Sequence, residues 1–168
     1  MPVVPFEVLP DNARVWVFAS DRPITGEPAR RLLEEVDRYL AQWQAHGHPL
    51  TCGRAWRDDR FLTIGVDQTD AYASGCSIDG LFRALQALRP VLGATLVGGG
   101  RVNYRDAAGA IQSATRDEFA KLGAAGTVTA STRVFDPTVA TVAEWRERFE
   151  TDAGRSWPGA LLGQPLLR

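Results

Sequence analysis

The chain has 168 residues, of which 45% are hydrophobic and 23% charged, and its formal net charge is −1. These are ordinary values for a globular protein, and a net charge this close to zero gives no long-range field that would attract nucleic acid or an anionic membrane. No apolar run approaches the roughly 20 residues that span a bilayer, and the N-terminus lacks the basic start and apolar stretch of a signal peptide. We therefore predict a cytoplasmic protein with no nucleic-acid and no membrane partner, and one domain over residues 1–168.

The first half of the chain predicts a strand, a long helix and a hairpin. Residues 14–19 are apolar, β-branched and aromatic, which is typical of a central strand. A helix follows, with Thr25 as its N-cap and Gly47 at its C-terminal end. Its apolar residues recur at helical spacing: Ala29, Leu32, Leu33, Val36, Leu40 and Trp43. Residues 51–56 and 61–66 then predict a hairpin around a four-residue polar turn.

The middle of the chain predicts a second amphipathic helix and a short strand. The apolar face of this helix consists of Ile78, Leu81, Phe82, Leu85, Leu88 and Leu92. Pro90 lacks the N–H that a helix interior needs, so we expect the helix to stop there. Residues 101–104 then predict a strand that turns at residues 106–109.

The last third of the chain contains two helix-start signals and one alternating segment. Thr115 and Glu118 have the spacing of a capping box and predict a short helix. Residues 127–135 alternate between apolar and polar side chains, which predicts a half-buried antiparallel strand. A second capping box begins at Thr141, and the helix that it opens is expected to reach Gly154.

The order of these elements indicates the fold class. Strands occur both singly and in hairpins between helices, without the strict alternation of βαβ units. We therefore predict the α+β class: a single domain with a mixed or antiparallel sheet and about four helices packed mainly on one face.

The start of the second helix carries the densest group of chemically useful residues. Ser74, Gly75, Ser77 and Asp79 surround it, and Asp67 ends the preceding strand. Unpaired N–H groups at a helix start give a positive local potential that can hold an anion. We predict a ligand-binding turn formed by these five residues.

The same segment contains a cysteine, which leaves a second interpretation open. Cys76 would be a thiolate favoured by the helix start, with His46 or His48 as its base. The alternative for this cysteine is inert packing behind the preceding strand. Both histidines also have structural readings, His46 at a helix end and His48 in a loop.

The two cysteines, Cys52 and Cys76, are expected to be free thiols. Their spacing fits neither a zinc site nor a redox Cys-x-x-Cys pair. We predict no bound metal and no cofactor.

Several sequence blocks resemble a small bacterial family of about this length. The blocks are Ala-Arg-Val-Trp at residues 13–16, Trp-Gln-Ala-His-Gly at 43–47 and Ala-Ser-Gly-Cys-Ser-Ile-Asp at 73–79, with similar C-terminal blocks at 134–135 and 156–157. The resemblance covers most of the chain. It implies no particular activity, although members of that family often carry the label of an ABC-transporter ATPase.

The sequence argues against nucleotide hydrolysis of that kind. A P-loop requires Gly-x-x-x-x-Gly-Lys-Ser/Thr, because its backbone cradles the phosphates while the lysine reaches them. The single lysine of the chain, Lys121, follows Ala120, and the glycine cluster at residues 98–100 has neither the spacing nor the lysine. We predict that the protein is not a P-loop ATPase.

A further expectation concerns the ends of the strands. If the first strand and the strand ending at Val66 were parallel neighbours, the turn at Ser20, Asp21 and Arg22 would share a cleft with the turn after Val66.

The sequence thus favours a binding or regulatory domain that recognises a small ligand or a protein partner at residues 74–79. An anion would suit that helix start. The alternative is a thiol-dependent enzyme that uses Cys76 as a nucleophile or redox centre. The pattern identifies neither the ligand nor the oligomeric state.

Overall fold

Two four-stranded antiparallel sheets organise the chain in the computed structural model, which describes residues 3–45, 47–68, 75–97 and 100–163. The strands are β1 (Arg14–Ser20), β2 (Gln44–Ala45), β3 (His48–Pro49), β4 (Thr51–Arg57), β5 (Phe61–Asp67), β6 (Leu96–Val97), β7 (Val102–Arg105), β8 (Ile111–Ala114), β9 (Arg133–Phe135) and β10 (Glu150–Asp152). The α-helices are α1 (Gly26–Ala41), α2 (Gly75–Ala87), α3 (Arg89–Leu92), α4 (Arg116–Ala124) and α5 (Val142–Arg148). Short 3-10 helices cover Phe6–Val8, Ala153–Arg155 and Trp157–Leu162. The α+β class is confirmed, and both four-stranded sheets are antiparallel, whereas the sequence predicted a single mixed or antiparallel sheet.

By its contacts the chain separates into two compact units, each with one of the four-stranded sheets. The first takes the chain up to residue 98 and adds Ala140–Ala143. The second takes residues 99–139 and continues from Glu144. That the whole chain is one domain stays a prediction.

The sheet of the first unit contains β4, β5, β1 and β6 in that order. The predicted hairpin is confirmed, with Thr51 opposite Asp67 and Arg57 opposite Phe61. Its turn places Asp58 and Asp59 at φ 57°. This left-handed conformation suits the twist of a two-residue hairpin turn, although aspartate adopts it less readily than glycine.

Helix α1 packs the predicted apolar stripe into the core of the first unit. Leu32, Val36 and Leu40 are buried there, together with side chains of β5 and α2. Each such side chain contributes roughly 1.5–3 kcal/mol by leaving water. Thr25 occupies the N-cap position as predicted.

Helix α1 ends at Ala41, whereas the sequence predicted an end at Gly47. The N–H of Trp43 bonds to the carbonyl of Leu40, and the N–H of Leu50 bonds to the carbonyl of Trp43. Between them, β2 and β3 form a two-stranded ribbon. The chain therefore leaves the helix just before Trp43, whose ring is buried in the core.

The predicted second amphipathic helix is divided into two helices just before Pro90. Helix α2 ends at Ala87, and the single turn α3 carries Pro90 near its N-terminus. Proline is tolerated there because the first helical N–H groups need no intrahelical partner.

The sheet of the second unit contains β10, β9, β7 and β8 in that order. The turn between β7 and β8 is held by Asp106, whose carboxylate accepts hydrogen bonds from the N–H groups of Ala108 at 2.9 Å and Ala110 at 3.0 Å. The capping box is confirmed, since Thr115 accepts from the N–H of Glu118 and the Glu118 carboxylate accepts from the N–H of Thr115.

Two elements are shorter in the structure than the sequence predicts. Residues 127–132 form turns instead of a strand, because the Thr132 hydroxyl accepts from the N–H of Thr129 at 2.8 Å and the Thr129 hydroxyl accepts from the N–H of Ser131 at 3.2 Å. Only Arg133–Phe135 pairs as a strand. Helix α5 stops at Arg148 instead of reaching Gly154, and the residues after it form β10 against β9.

Candidate functional site

The predicted helix-start site lies partly outside the described residues. Ser74 and His46 belong to that undescribed part, and of His48 only the backbone, in β3, is described. Helix α2 begins at Gly75, so Cys76 and Ser77 stand in its first turn, again described as backbone only.

The two carboxylates predicted to belong to that site are described. Asp79 is exposed on α2, and Asp67 is half-buried at the end of β5. The ligand-binding and catalytic roles of these residues stay predictions.

Cys52, the other cysteine, is a packing residue. It is fully buried in β4, and its sulfur lies 3.7 Å from the carbonyl oxygen of Leu40. Burial raises the pKa of this thiol to about 11, because the thiolate would be placed in an apolar core. At neutral pH Cys52 is therefore a neutral thiol and not a nucleophile.

The prediction of a cleft shared by the ends of two parallel strands is wrong. Strands β1 and β5 are antiparallel, with Arg14 opposite Val66 and Ala19 opposite Phe61. The N–H of Ser20 accordingly bonds to the carbonyl of Arg60, in the turn at the start of β5. The C-terminal ends of β1 and β5 therefore lie at opposite ends of the sheet.

A cavity of about 170 Å³ lies between α1 and α2. Its lining residues come from one face of each helix and from the residue that follows each helix: Glu35, Val36, Arg38, Tyr39, Gln42, Leu81, Ala84, Leu85 and Leu88. The two helices bring these side chains together because both bury their apolar stripes against the same sheet.

The floor of this cavity is apolar and rigidly placed. Val36, Leu81 and Leu85 are each at most 3% exposed and belong to the core of the first unit. Leu88 and Ala84 are half-buried beside them. An apolar group entering the cavity would therefore contact side chains whose positions the core already fixes.

The mouth of the cavity is polar and electrically balanced. The Arg38 guanidinium donates to the Glu35 carboxylate one helical turn before it. Gln42, at the end of α1, contributes an exposed neutral amide. The two opposite charges at the mouth thus already pair with each other.

Tyr39 closes one side of the cavity and is positioned by neighbours on both helices. The Trp43 indole donates a hydrogen bond to its hydroxyl, and the two rings lie 6.1 Å apart between centroids. Burial raises the pKa of Tyr39, which the nearby Arg83 guanidinium opposes, so the phenol is neutral at physiological pH.

The space for the Tyr39 hydroxyl is provided by Gly80 on α2. A Cβ atom at residue 80 would lie 2.5 Å from the Tyr39 hydroxyl oxygen. Small residues at positions 80 and 84, four apart on one face of α2, thus leave room for the tyrosine ring and for the cavity beside it.

A broader depression of about 600 Å³ lies beside the N-terminal segment, and its lining includes Asp37 on α1 and Arg54 on β4. Arg54 donates to both carboxylate oxygens of Asp37, at 2.7 and 3.0 Å. This bidentate pair joins two of the charged groups of that lining, and Glu7 is the third.

Sequence reasoning did not find the α1–α2 cavity, although it identified the apolar stripes that form its floor. A signal was present in the spacing of Gly80 and Ala84 on the apolar side of a helix, opposite an aromatic residue of the preceding helix. Small residues at such spacing let another element approach closely. The pairing of Tyr39 with Gly80 depends on tertiary packing, which periodicity alone does not supply.

Fold and cavity together define an α+β protein with a small, largely apolar cavity between two helices. Comparisons with protein-family models, with curated proteins and with solved structures gave no match. Within the described residues no three His, Cys, Asp or Glu side chains cluster as a metal site would require. No helix in that part of the chain is long and apolar enough to span a bilayer.

Proposed function

We propose that the protein is a binding module that holds a small ligand in the cavity between α1 and α2. The observation that carries the proposal is the combination of a buried apolar floor with a polar mouth in one concave site. Ligand sites in proteins are usually of this kind: mostly apolar, preformed, and provided with a few polar groups that orient the ligand.

The helix-start segment predicted from the sequence lies just before the cavity along the chain. Its residues 75–79 form the start of α2, and Leu81 is the first residue of α2 that lines the cavity. The predicted turn of Ser74, Gly75, Ser77, Asp79 and Asp67 remains part of the proposal as a separate contact region, where the helix-start N–H groups would receive a second, anionic ligand or a protein partner.

A thiol-dependent enzyme is the alternative proposal. Its support is the position of Cys76 in the first turn of α2, where unpaired N–H groups favour a thiolate. The enzyme would require Cys76 to be accessible and acidic, which alkylation measures directly.

The binding proposal is tested with small ring-shaped probes and two matched variants. We would measure binding of benzyl alcohol, benzylamine and benzoate to the wild-type protein by calorimetry and by the shift in Tm. Ala84→Phe fills the cavity from its half-buried wall, whereas Ala87→Phe adds the same ring at an exposed position of α2 outside the lining.

We expect at least one probe to bind the wild type and Ala87→Phe, and none to bind Ala84→Phe. Ala84→Phe is accepted as a test only if its far-UV spectrum and unfolding transition remain cooperative; otherwise Ala84→Leu takes its place. Absence of binding by all three probes to the wild type would contradict the proposal, as would equal binding to Ala84→Phe.

A further inference from the structure

We infer that the cavity between α1 and α2 selects an uncharged ligand with an apolar body about the size of one six-membered ring. This inference rests on the proposed function, because it specifies the ligand class of the same site. Two observations support it independently: the volume of the cavity and the charge balance at its mouth.

The volume of the cavity matches one six-membered ring. The cavity holds about 170 Å³, and an apolar protein cavity of about 150 Å³ accommodates benzene. Ligand sites for drug-sized molecules are larger, at about 300–1,000 Å³. A nucleotide or a peptide segment would therefore extend well beyond this cavity.

The chemistry of the floor favours an apolar body. Val36, Leu81 and Leu85 offer no hydrogen-bonding side-chain groups, and all three are buried. A polar group placed against them would lose its water without gaining a partner, which costs about 1–3 kcal/mol.

The mouth favours a ligand without net charge. Arg38 is the cation of the lining and Glu35 its anion, and the two form an ion pair across one turn of α1. A charged ligand would have to break this pair or remain beside it with little net attraction. The neutral amide of Gln42 and the neutral phenol of Tyr39 offer hydrogen-bonding groups to an uncharged polar substituent.

Arg83 is a further charge that acts on this region. It is exposed on α2 outside the lining, and its effect reaches the Tyr39 hydroxyl electrostatically. An exposed cation in water attracts an anion weakly, since solvent and salt screen the interaction. Its influence is nevertheless the reason for including an anionic probe.

The test compares three probes of nearly equal shape that differ in charge. Dissociation constants of benzyl alcohol, benzylamine and benzoate are measured at pH 7 and low salt. We expect benzyl alcohol to bind at least tenfold more tightly than either charged probe. Benzoate or benzylamine binding as tightly as benzyl alcohol would overturn the inference and leave the proposed function intact. Absence of binding by all three would instead overturn the proposed function, and this inference with it.

A variant tests whether the ion pair keeps the mouth neutral. Glu35→Gln removes the anion and leaves Arg38 without this partner, so benzoate should bind the variant about two- to fivefold more tightly than it binds the wild type. The ratio of benzoate affinity to benzyl alcohol affinity should rise by about the same factor. Unchanged benzoate affinity in Glu35→Gln would contradict the charge-balance argument.

Discussion

The hydroxyl of Tyr39 lies in the space that a side chain at Gly80 would occupy. An ideal Cβ at residue 80 would be 2.5 Å from the hydroxyl oxygen but 3.7 Å from the ring carbon that bears it. The conflict therefore involves the oxygen alone, since 3.7 Å is an ordinary van der Waals contact. One atom of α1 thus determines which residue α2 can carry at the edge of the cavity.

This relationship predicts a change of sign in a double-mutant cycle. Gly80→Ala alone should destabilise the protein by about 1–2 kcal/mol, because the methyl group displaces the tyrosine. In a Tyr39→Phe background the same substitution should stabilise it by about 0.5–1 kcal/mol, the usual gain of alanine over glycine within a helix. Urea unfolding followed by tryptophan fluorescence measures all four proteins.

Tyr39→Phe serves as the reference in that cycle. On its own it should cost about 1 kcal/mol, because the buried Trp43 indole loses its acceptor. If Gly80→Ala changed the free energy of unfolding equally in both backgrounds, the Tyr39 hydroxyl could not lie against residue 80.

Alkylation should distinguish the two cysteines. Cys52 is fully buried, and burial raises its pKa to about 11, so iodoacetamide should leave it unmodified at pH 7–8 until the protein unfolds. Peptide mass spectrometry resolves this residue from Cys76. Modification of Cys52 in the folded protein would contradict its place in the core.

The same experiment tests the alternative proposal, a thiol-dependent enzyme that uses Cys76. A rate that titrates well below pH 8 would support the thiol-dependent enzyme. Modification only at the pH of an ordinary thiol, or only on unfolding, would count against it.

The buried thiol of Cys52 also predicts how stability depends on pH. Its pKa is raised from about 9 to about 11 in the folded state. Between these values the unfolded chain releases the proton and the folded chain keeps it, so the free energy of unfolding falls as pH rises. The loss should reach roughly 2 kcal/mol by pH 11.

Other groups titrate in this range, so a variant isolates the contribution of the thiol. Cys52→Ala removes it and should unfold with a smaller fall in stability between pH 9 and 11 than the wild type shows. Identical pH profiles for the two proteins would contradict the assignment.

How much of this could be read from the sequence varies between elements. The stripe of α1, the hairpin of β4 and β5 and the capping box at Thr115 were predictable, because each depends on residues close together in sequence. Strands β8 and β10 were missed, since they are short and pair through contacts that periodicity does not record. Residues 127–135 show the opposite error, in which alternation suggested a strand but threonine hydroxyls bonded to the backbone instead.

The sequence likewise predicts some features of the candidate site and not others. The buried floor residues Val36, Leu81 and Leu85 all lie on apolar faces that the sequence predicts. The cavity was not, because its shape follows from the fit of Tyr39 against Gly80, which joins two helices more than 30 residues apart in sequence.

A buried aspartate predicts a large stability effect in the second unit. Asp136 is 2% exposed, and its carboxylate accepts from the N–H of Thr138 at 2.9 Å and from Arg148 at 2.7 Å. Asp136→Asn should lower the free energy of unfolding by about 2 kcal/mol. The neutral amide has one accepting oxygen instead of two, and it carries no charge to pair with Arg148. Thermal unfolding measures the difference.

An exposed aspartate of the same unit supplies the matched control. Asp152 pairs with Arg133 at 3.1 Å, with both side chains more than 40% exposed. Asp152→Asn should cost less than about 1 kcal/mol, because solvent screens such a pair. Equal losses for the two substitutions would contradict the distinction between buried and exposed pairs.

Binding of a small uncharged molecule between α1 and α2 can be observed residue by residue. The ¹⁵N-labelled protein is titrated with benzyl alcohol, and the backbone amide chemical shifts are followed. We predict saturable shifts concentrated at Tyr39, Gln42, Leu81, Ala84 and Leu88, and their loss in Ala84→Phe. Shifts concentrated instead around Asp37 and Arg54, or no saturable shift at all, would contradict the account.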